Sequence, residues 1–221
     1  MFGDDKALFE KSGRSFEAGA TIFTEGEPGN EMYLIKSGRV KVIRSEKTGS
    51  KVLSVFGAGN LFGEMALIEA KPRSATVVAM EKTEVLVLTF SDLEQIISSK
   101  PEFLFKLIQV LCKRIRFTTG QIRNYAIKSA PGKVSDILIT LTDSFNYDSE
   151  QTNRLDLGIG ALEISQMTGL GLEEVRSTLD NFSKEGLVDA ENEHSISITN
   201  IDGLKNARYF LLKKEHFHGI I

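Results

Sequence analysis

The residues from Leu61 to Thr76 hold the richest chemistry in the chain. Gly63 lets backbone approach a ligand closely, the helical turn that follows it through Met65 and Ala66 presents free N–H groups, and Arg73 stands at the mouth of the next strand. Free backbone donors beside a cation make an anion site. Arginine suits phosphate better than lysine does, because its fork bonds two oxygens at once. Glu64 is out of place beside a phosphate unless the ligand also offers a hydroxyl, as a ribose does, since a carboxylate accepts such a bond strongly. Ser74 follows the arginine directly. Phosphate and ribose on one compact ligand describe a nucleotide. The plainer alternative is an ordinary β-turn carrying a surface ion pair.

A frame must hold these residues, and the segments around them read as strands. Between Ser15 and Leu88, short apolar runs such as Met32–Ile35, Val40–Ile43 and Val52–Phe56 are punctuated by Ser37-Gly38 and Thr48-Gly49. Alternation, β-branched content and turns at this spacing predict an antiparallel jelly roll. The runs 74–79 and 85–88 add two strands. Ser91 is expected to cap the next helix, with Glu94 at its third position, so the roll closes near Phe90.

Beyond Pro101 the period changes. Leu104, Ile108, Leu111, Ile115, Thr118, Ile122 and Tyr125 are spaced 4, 3, 4, 3, 4, 3, a heptad seam on one helix that Pro101 starts and Pro131-Gly132 is expected to end. A sustained 3.5-residue period is the pattern of two helices supercoiling, so a homodimer through residues 101–130 is expected; packing on its own roll is the alternative. Thr118 and Thr119 put hydroxyls on or beside that seam. Either they meet a polar partner, or they bond back to carbonyls of their own helix.

The last third reads as a helix around Val134–Leu141, a polar loop from Asn146 to Arg154, and a short helix from Glu163 to Thr168. Gly169-Leu170-Gly171 then leads into a helix over Leu172–Ser183, with Val175, Leu179 and Phe182 on one face, before a hairpin around Asn192. Helix, tight glycine turn, helix and hairpin make a winged helix-turn-helix. The fold class is therefore α+β, with three parts: a β-roll over 1–100, a dimerisation helix and hinge over 101–130, and a winged helix-turn-helix with a C-terminal extension over 131–221. Residues 206–214 in the extension have the pattern of one more helix.

The segment 61–76 resembles the phosphate-binding cassette of cyclic-nucleotide-binding domains. With the long helix and the winged helix-turn-helix, residues from about 16 to 198 resemble the cAMP receptor protein (CRP/FNR) family. The resemblance implies that Glu64 takes the ribose 2′-hydroxyl and that Arg73 takes the cyclic phosphate. Ser74 adds its hydroxyl and N–H to that phosphate, Gly63 gives room, and Met65 and Ala66 complete the cassette. By the same resemblance, Thr118 and Thr119 stand where the family holds the adenine amino group with one hydroxyl from each subunit. Arg114 matches an arginine that braces the glutamate. The implied regulatory ligand is cAMP; cGMP or a cyclic dinucleotide also suits hydroxyls that donate or accept. The hinge falls near residues 125–132.

Two outputs follow. In the first, the protein is a cAMP-responsive transcription regulator whose dimer binds DNA through Leu172, Glu173, Arg176 and Ser177. In the second, the sensor is kept and the winged part contacts a protein instead. The family's cAMP-binding members read bases with Arg, Glu and Arg where this chain has Leu172, Glu173 and Ser177, and they contact phosphates with Thr, Arg and Ser where it has Gly160, Ala161 and Gly171. Charge points the same way. Residues 1–130 hold 19 basic and 15 acidic side chains, a balance of +4, whereas 131–221 hold 8 and 15, a balance of −7, within 27 and 30 for the whole chain. Phosphate backbones attract cations and repel such an excess of acids.

Other chemistries find few residues. With 221 residues, 41% apolar and 26% charged, the chain lies in the globular range. The single cysteine, Cys112, excludes an internal disulfide framework or a cysteine-ligated cluster. His194, His216 and His218 all fall in the C-terminal half. No metal, catalytic set or membrane segment is expected, and the cysteine usage suits the cytoplasm.

Overall fold

The computed structural model describes residues 12–46, 49–144, 154–192 and 195–217. The chain divides into two compact units, one up to Cys112 and the other from Lys113 onward.

Among the described residues, the first unit holds eight strands: β1 (Gly13–Phe16), β2 (Thr21–Phe23), β3 (Glu31–Ser37), β4 (Val40–Glu46), β5 (Gly49–Phe56), β6 (Leu61–Phe62), β7 (Thr76–Ala79) and β8 (Thr83–Thr89). They form two antiparallel sheets, ordered β1-β8-β3-β6 and β2-β7-β4-β5. Helix α1 (Glu64–Glu69) interrupts the strands, and α2 (Phe90–Ser99) follows them. The apolar run Met32–Ile35 is buried throughout because both faces of its sheet are covered. Tyr33 and Ile35 join Phe23, Val40, Phe62 and Val77 between the sheets. Met32 and Leu34, pointing the other way, meet Leu93 of α2 together with Phe103 and Leu107. Successive residues of a strand face opposite sides, so a run buried on both sides loses its alternation.

Two local features differ from expectation. The cap of α2 is Thr89, not Ser91: the Asp92 backbone N–H donates to Thr89 Oγ1 (3.3 Å), and the Thr89 N–H donates to Asp92 Oδ2 (2.8 Å). Thr89 ends β8 in extended backbone, the conformation a cap requires, so the reciprocal capping box forms two residues early. Strand β7 starts at Thr76 rather than Ser74, since Arg73 is held in a turn by backbone bonds to Gly26 and Glu27 (2.9 and 2.8 Å).

Helix α3 (Glu102–Ala126) runs through the boundary between the units. It ends at Ala126, not at Pro131-Gly132, which instead lie in the first turn of α4 (Ala130–Ser144). Proline fits there because a first-turn N–H has no intrahelical acceptor to lose. Ser129 Oγ accepts from the Gly132 N–H at 3.2 Å, so the chain breaks and restarts over residues 127–129.

The second unit continues with β9 (Leu155–Asp156), α5 (Ala161–Thr168), α6 (Leu172–Lys184), β10 (Val188–Asn192), β11 (Ser195–Ile198) and α7 (Ile201–Phe217). The sheet order is β10-β11-β9, so the wing gains a third strand, directly after the expected loop, that the sequence reading did not assign. Most of that expected loop, from Asn146 to Asn153, lies outside the described residues. Gly169 caps α5, and α6 packs Val175, Leu179 and Phe182 inward, as their spacing predicted. Helix α7 is longer than the expected 206–214 segment.

Candidate ligand-binding site

Helix α1 is only six residues long and is held by two left-handed residues, Gly63 (φ 79°) before it and Ala70 (φ 51°) after it. The first is easy for glycine; the second strains an L-residue, which persists only where surrounding structure imposes it. These two left-handed residues turn the chain sharply enough to bring Arg73 back beside Gly63.

Two opposite charges are buried in this turn. Glu64, the first residue of α1, is 1% exposed, and Arg73 is 5% exposed. Arg73 Nη1 donates to the carbonyl oxygens of Glu31 (2.8 Å) and Gly63 (2.9 Å), and its guanidinium carbon lies 4.1 Å from the centre of the Phe23 ring. A cation over an aromatic face gains about 0.5–2 kcal/mol. Phe23, Tyr33 and Phe62 pack as a cluster with centroids 5.0–6.0 Å apart, so the ring beneath the arginine is rigid. Arg73 Nε is buried and has no hydrogen-bond acceptor in the protein.

The frame under the arginine is itself hydrogen-bonded. Glu31 accepts from Arg14 (2.7 Å) and from the Tyr33 hydroxyl. Burial, reinforced by the bond to Glu31, pushes the Tyr33 phenol well above its ordinary range. Burial pulls the Glu31 carboxyl upward too, but its bonds from Tyr33 and Arg14 and the charge of Arg73 outweigh that and leave it below the ordinary carboxylate range. Glu31 is therefore an anion whose backbone carbonyl anchors Arg73.

The structure thus brings Gly63, Glu64, Ala66 and Arg73 together, with Ala66 buried at 2%. Met65 and Ser74 lie exposed at the rim, Ser74 Oγ standing 3.7 Å from Met65 Sδ. Arg114, Thr118 and Thr119 belong to the second unit. Arg114 is half-buried, whereas both threonines are exposed, and Thr119 Oγ1 donates to the Ile115 carbonyl at 2.9 Å, the back-bonding alternative. On α6, Glu173 and Ser177 are exposed and Leu172 half-buried, while Arg176 Nη1 donates to Glu173 Oε1 at 2.8 Å.

Sequence reading missed Phe23, Tyr33 and Gly29. A Cβ on Gly29 would sit 2.7 Å from both Ala66 Cβ and Arg73 Nε. Only the turn pattern Glu27-Pro28-Gly29-Asn30 marked this position, and nothing local ties it to a helix 35 residues away. Gly29→Ala is expected to weaken ligand binding about tenfold and to destabilise the first unit by roughly 1–3 kcal/mol through overpacking. Calorimetric titration and thermal unfolding of the variant check both.

Comparison with known proteins gives the family. Residues 13–100 match the model of the cyclic nucleotide-binding domain. The chain is 30% identical over 191 residues to the cyclic AMP receptor protein of Thermus thermophilus, covering 83% of this chain and 82% of the relative. The chain belongs to the CRP/FNR family. Another CRP/FNR relative, the CRP-like cAMP-activated global transcriptional regulator of Mycobacterium tuberculosis, is 28% identical over 179 residues, 80% of each chain. Among solved structures, a CRP/FNR-family transcriptional regulator from Thermus thermophilus shares the fold at a TM-score of 0.67 and 22% identity, over 89% of this chain and 98% of that one. The relatives are named as regulators, not enzymes. Among the described residues of this CRP/FNR chain, no helix is long and apolar enough to cross a membrane, and no group of three or more His, Cys, Asp or Glu could hold a metal ion. His194 and His218 lie outside the described residues.

Proposed function

We propose that this protein is a cAMP-responsive transcription regulator acting as a homodimer in the cytoplasm. The observation that carries the reading is the pair of buried opposite charges, Glu64 and Arg73, on the turn bounded by Gly63 and Ala70. A cyclic nucleotide needs this combination: a cation for the phosphate and an acceptor for the ribose hydroxyl. The buried Arg73 Nε and the glycine contacts that leave no room for a Cβ fit such a ligand. In this reading Ser74 bonds the phosphate, Met65 and Ala66 line the turn, and Arg114 braces Glu64. Residues 1–100 sense, 101–130 dimerise and hinge, and 131–221 bind DNA.

The dimer reading draws on exposure. Ile108, Ile115, Ile122 and Tyr125 of the heptad seam are 47%, 66%, 66% and 50% exposed, while Phe117 and Asn124 of α3 are buried at 8% and 2%. An apolar stripe left open over about five turns suits a second copy of the same helix. Thr118 and Thr119 of both copies would then face the adenine, and cAMP would favour one arrangement of the winged units by its differential affinity. Thr119→Ala is expected to weaken cAMP several-fold more than cGMP; equal losses in parallel titrations would reject the adenine contact.

Selection of random duplex DNA on the purified protein, with and without cAMP at near-physiological salt, tests the output. Enrichment of a two-fold site only with cAMP supports the regulator and gives Leu172, Glu173, Arg176 and Ser177 a base-reading role. Absence of enrichment, with cAMP binding measured on the same sample, rejects DNA as the output and points to a protein contact through the acidic winged unit.

A further inference from the structure

The most unusual buried group outside the ligand site is Asp136. It lies on the apolar run of α4, between Val134 (0% exposed) and Ile137 (1%), and is itself 0% exposed. Three donors converge on its carboxylate. Arg123 Nη2 reaches Oδ1 at 2.7 Å, Arg208 Nε reaches Oδ1 at 3.0 Å, and Asn124 Nδ2 reaches Oδ2 at 3.2 Å. Asn124 also donates to the Lys133 carbonyl at 2.8 Å. A buried carboxylate is tolerated only when paired and hydrogen-bonded, and removing one partner leaves an uncompensated charge.

The origin of the donors is the informative part. Arg123 and Asn124 belong to the last turn of α3, on one side of the break at 127–129, and Asp136 belongs to α4 on the other. Arg208 comes from α7, where it shares an inward face with Leu204 (0% exposed) and the half-buried Leu211. Positions 204, 208 and 211 follow the helical period, so an apolar side chain would be the default at 208. A charge on the apolar stripe of α7 meets a charge on the apolar run of α4, and the arrangement straddles the break in the chain. Close approach of the two helices at the same place is secured by Gly120, whose Cβ would meet Thr140 Cγ2 at 3.1 Å.

We propose that Arg208 is a positioning residue: through Asp136, the C-terminal helix α7 clamps the end of α3 onto α4 and makes the junction a stiff lever rather than a loose hinge. The lever function rests on the regulator reading above, since it is the cAMP-induced rearrangement that such a lever would transmit; the clamp itself does not.

Hydrogen exchange and DNA binding on the full-length Arg208→Gln protein separate the two. Arg208 is on the second unit and only partly buried, so the substitution leaves the β-roll intact and Asp136 still paired to Arg123 and Asn124. Backbone amides over 124–136 are expected to exchange about tenfold faster than in the parent, with no change over 31–89 and with cAMP affinity within about twofold. The factor by which cAMP raises affinity for the selected duplex is expected to fall about fivefold, because a looser junction passes on less of the ligand's preference. Arg208→Lys, which keeps the charge, is expected to recover part of that factor. Unchanged exchange at 124–136 overturns the clamp, and faster exchange with an unchanged cAMP factor overturns the lever. If the parent protein shows no cAMP-dependent duplex binding, the regulator reading fails, and the exchange result still decides the clamp.

Discussion

Arg73→Ala is expected to lose cyclic-nucleotide affinity by about 3 kcal/mol, roughly 150-fold, the range found when one partner of a buried charge pair is truncated. The guanidinium is the buried cation of this turn, and Phe23 below it and the carbonyls of Glu31 and Gly63 beside it hold it in a single position. Ordering this side chain therefore adds little further cost on binding. The same contacts mean that the variant also loses stability, because two carbonyl acceptors are left unmet at about 1–3 kcal/mol each in the fully buried limit. Titration calorimetry of the folded variant, with its melting temperature measured alongside, separates the two effects. Arg73→Lys keeps the charge but not the fork and is expected to fall between parent and alanine. Parent-like affinity for cAMP in a folded Arg73→Ala protein would sink the assignment of the site.

Replacing both Ile115 and Ile122 by Asp is expected to convert the dimer into monomers. Each isoleucine is 66% exposed in the single chain, and burying such a side chain stabilises by about 1.5–3 kcal/mol. Two copies of two residues then contribute on the order of 6 kcal/mol, or about 10⁴ in the dissociation constant, before the repulsion of the new carboxylates is counted. Sedimentation of parent and variant at micromolar concentration reads this directly. Because the partner's threonines are part of the proposed adenine contact, cAMP affinity is expected to fall with the dimer. A variant that sediments as the parent does would show that the seam serves another purpose.

Much of the candidate site was legible because its proposed members lie within one short segment. Gly63, Glu64, Arg73 and Ser74 span a dozen residues, and each carries a chemical demand that its neighbours explain. The support beneath them was not legible. Phe23, Gly29, Glu31 and Tyr33 reach the arginine only through strand pairing and the turn before β3, contacts of long sequence separation that no local period encodes. Asp136 illustrates the same limit, since its three donors come from positions 12 to 72 residues away.

Sequence alone determined what depends on a period or on a residue's chemistry at one place. It set the short strands of the roll, the heptad spacing along α3, the helix-turn-helix around Gly169 to Gly171, and the placing of Gly63, Glu64 and Arg73 in one short segment. Tertiary structure decided what depends on distant segments meeting. It moved the cap of α2 to Thr89, ended α3 at Ala126 with Pro131 inside the next helix, added a third strand to the wing, and left the seam exposed while another face of α3 was buried. The physical reason is common to all of these. Helix and strand periods are properties of the local backbone, whereas caps, breaks and buried charges are settled by which polar groups find partners once the elements pack.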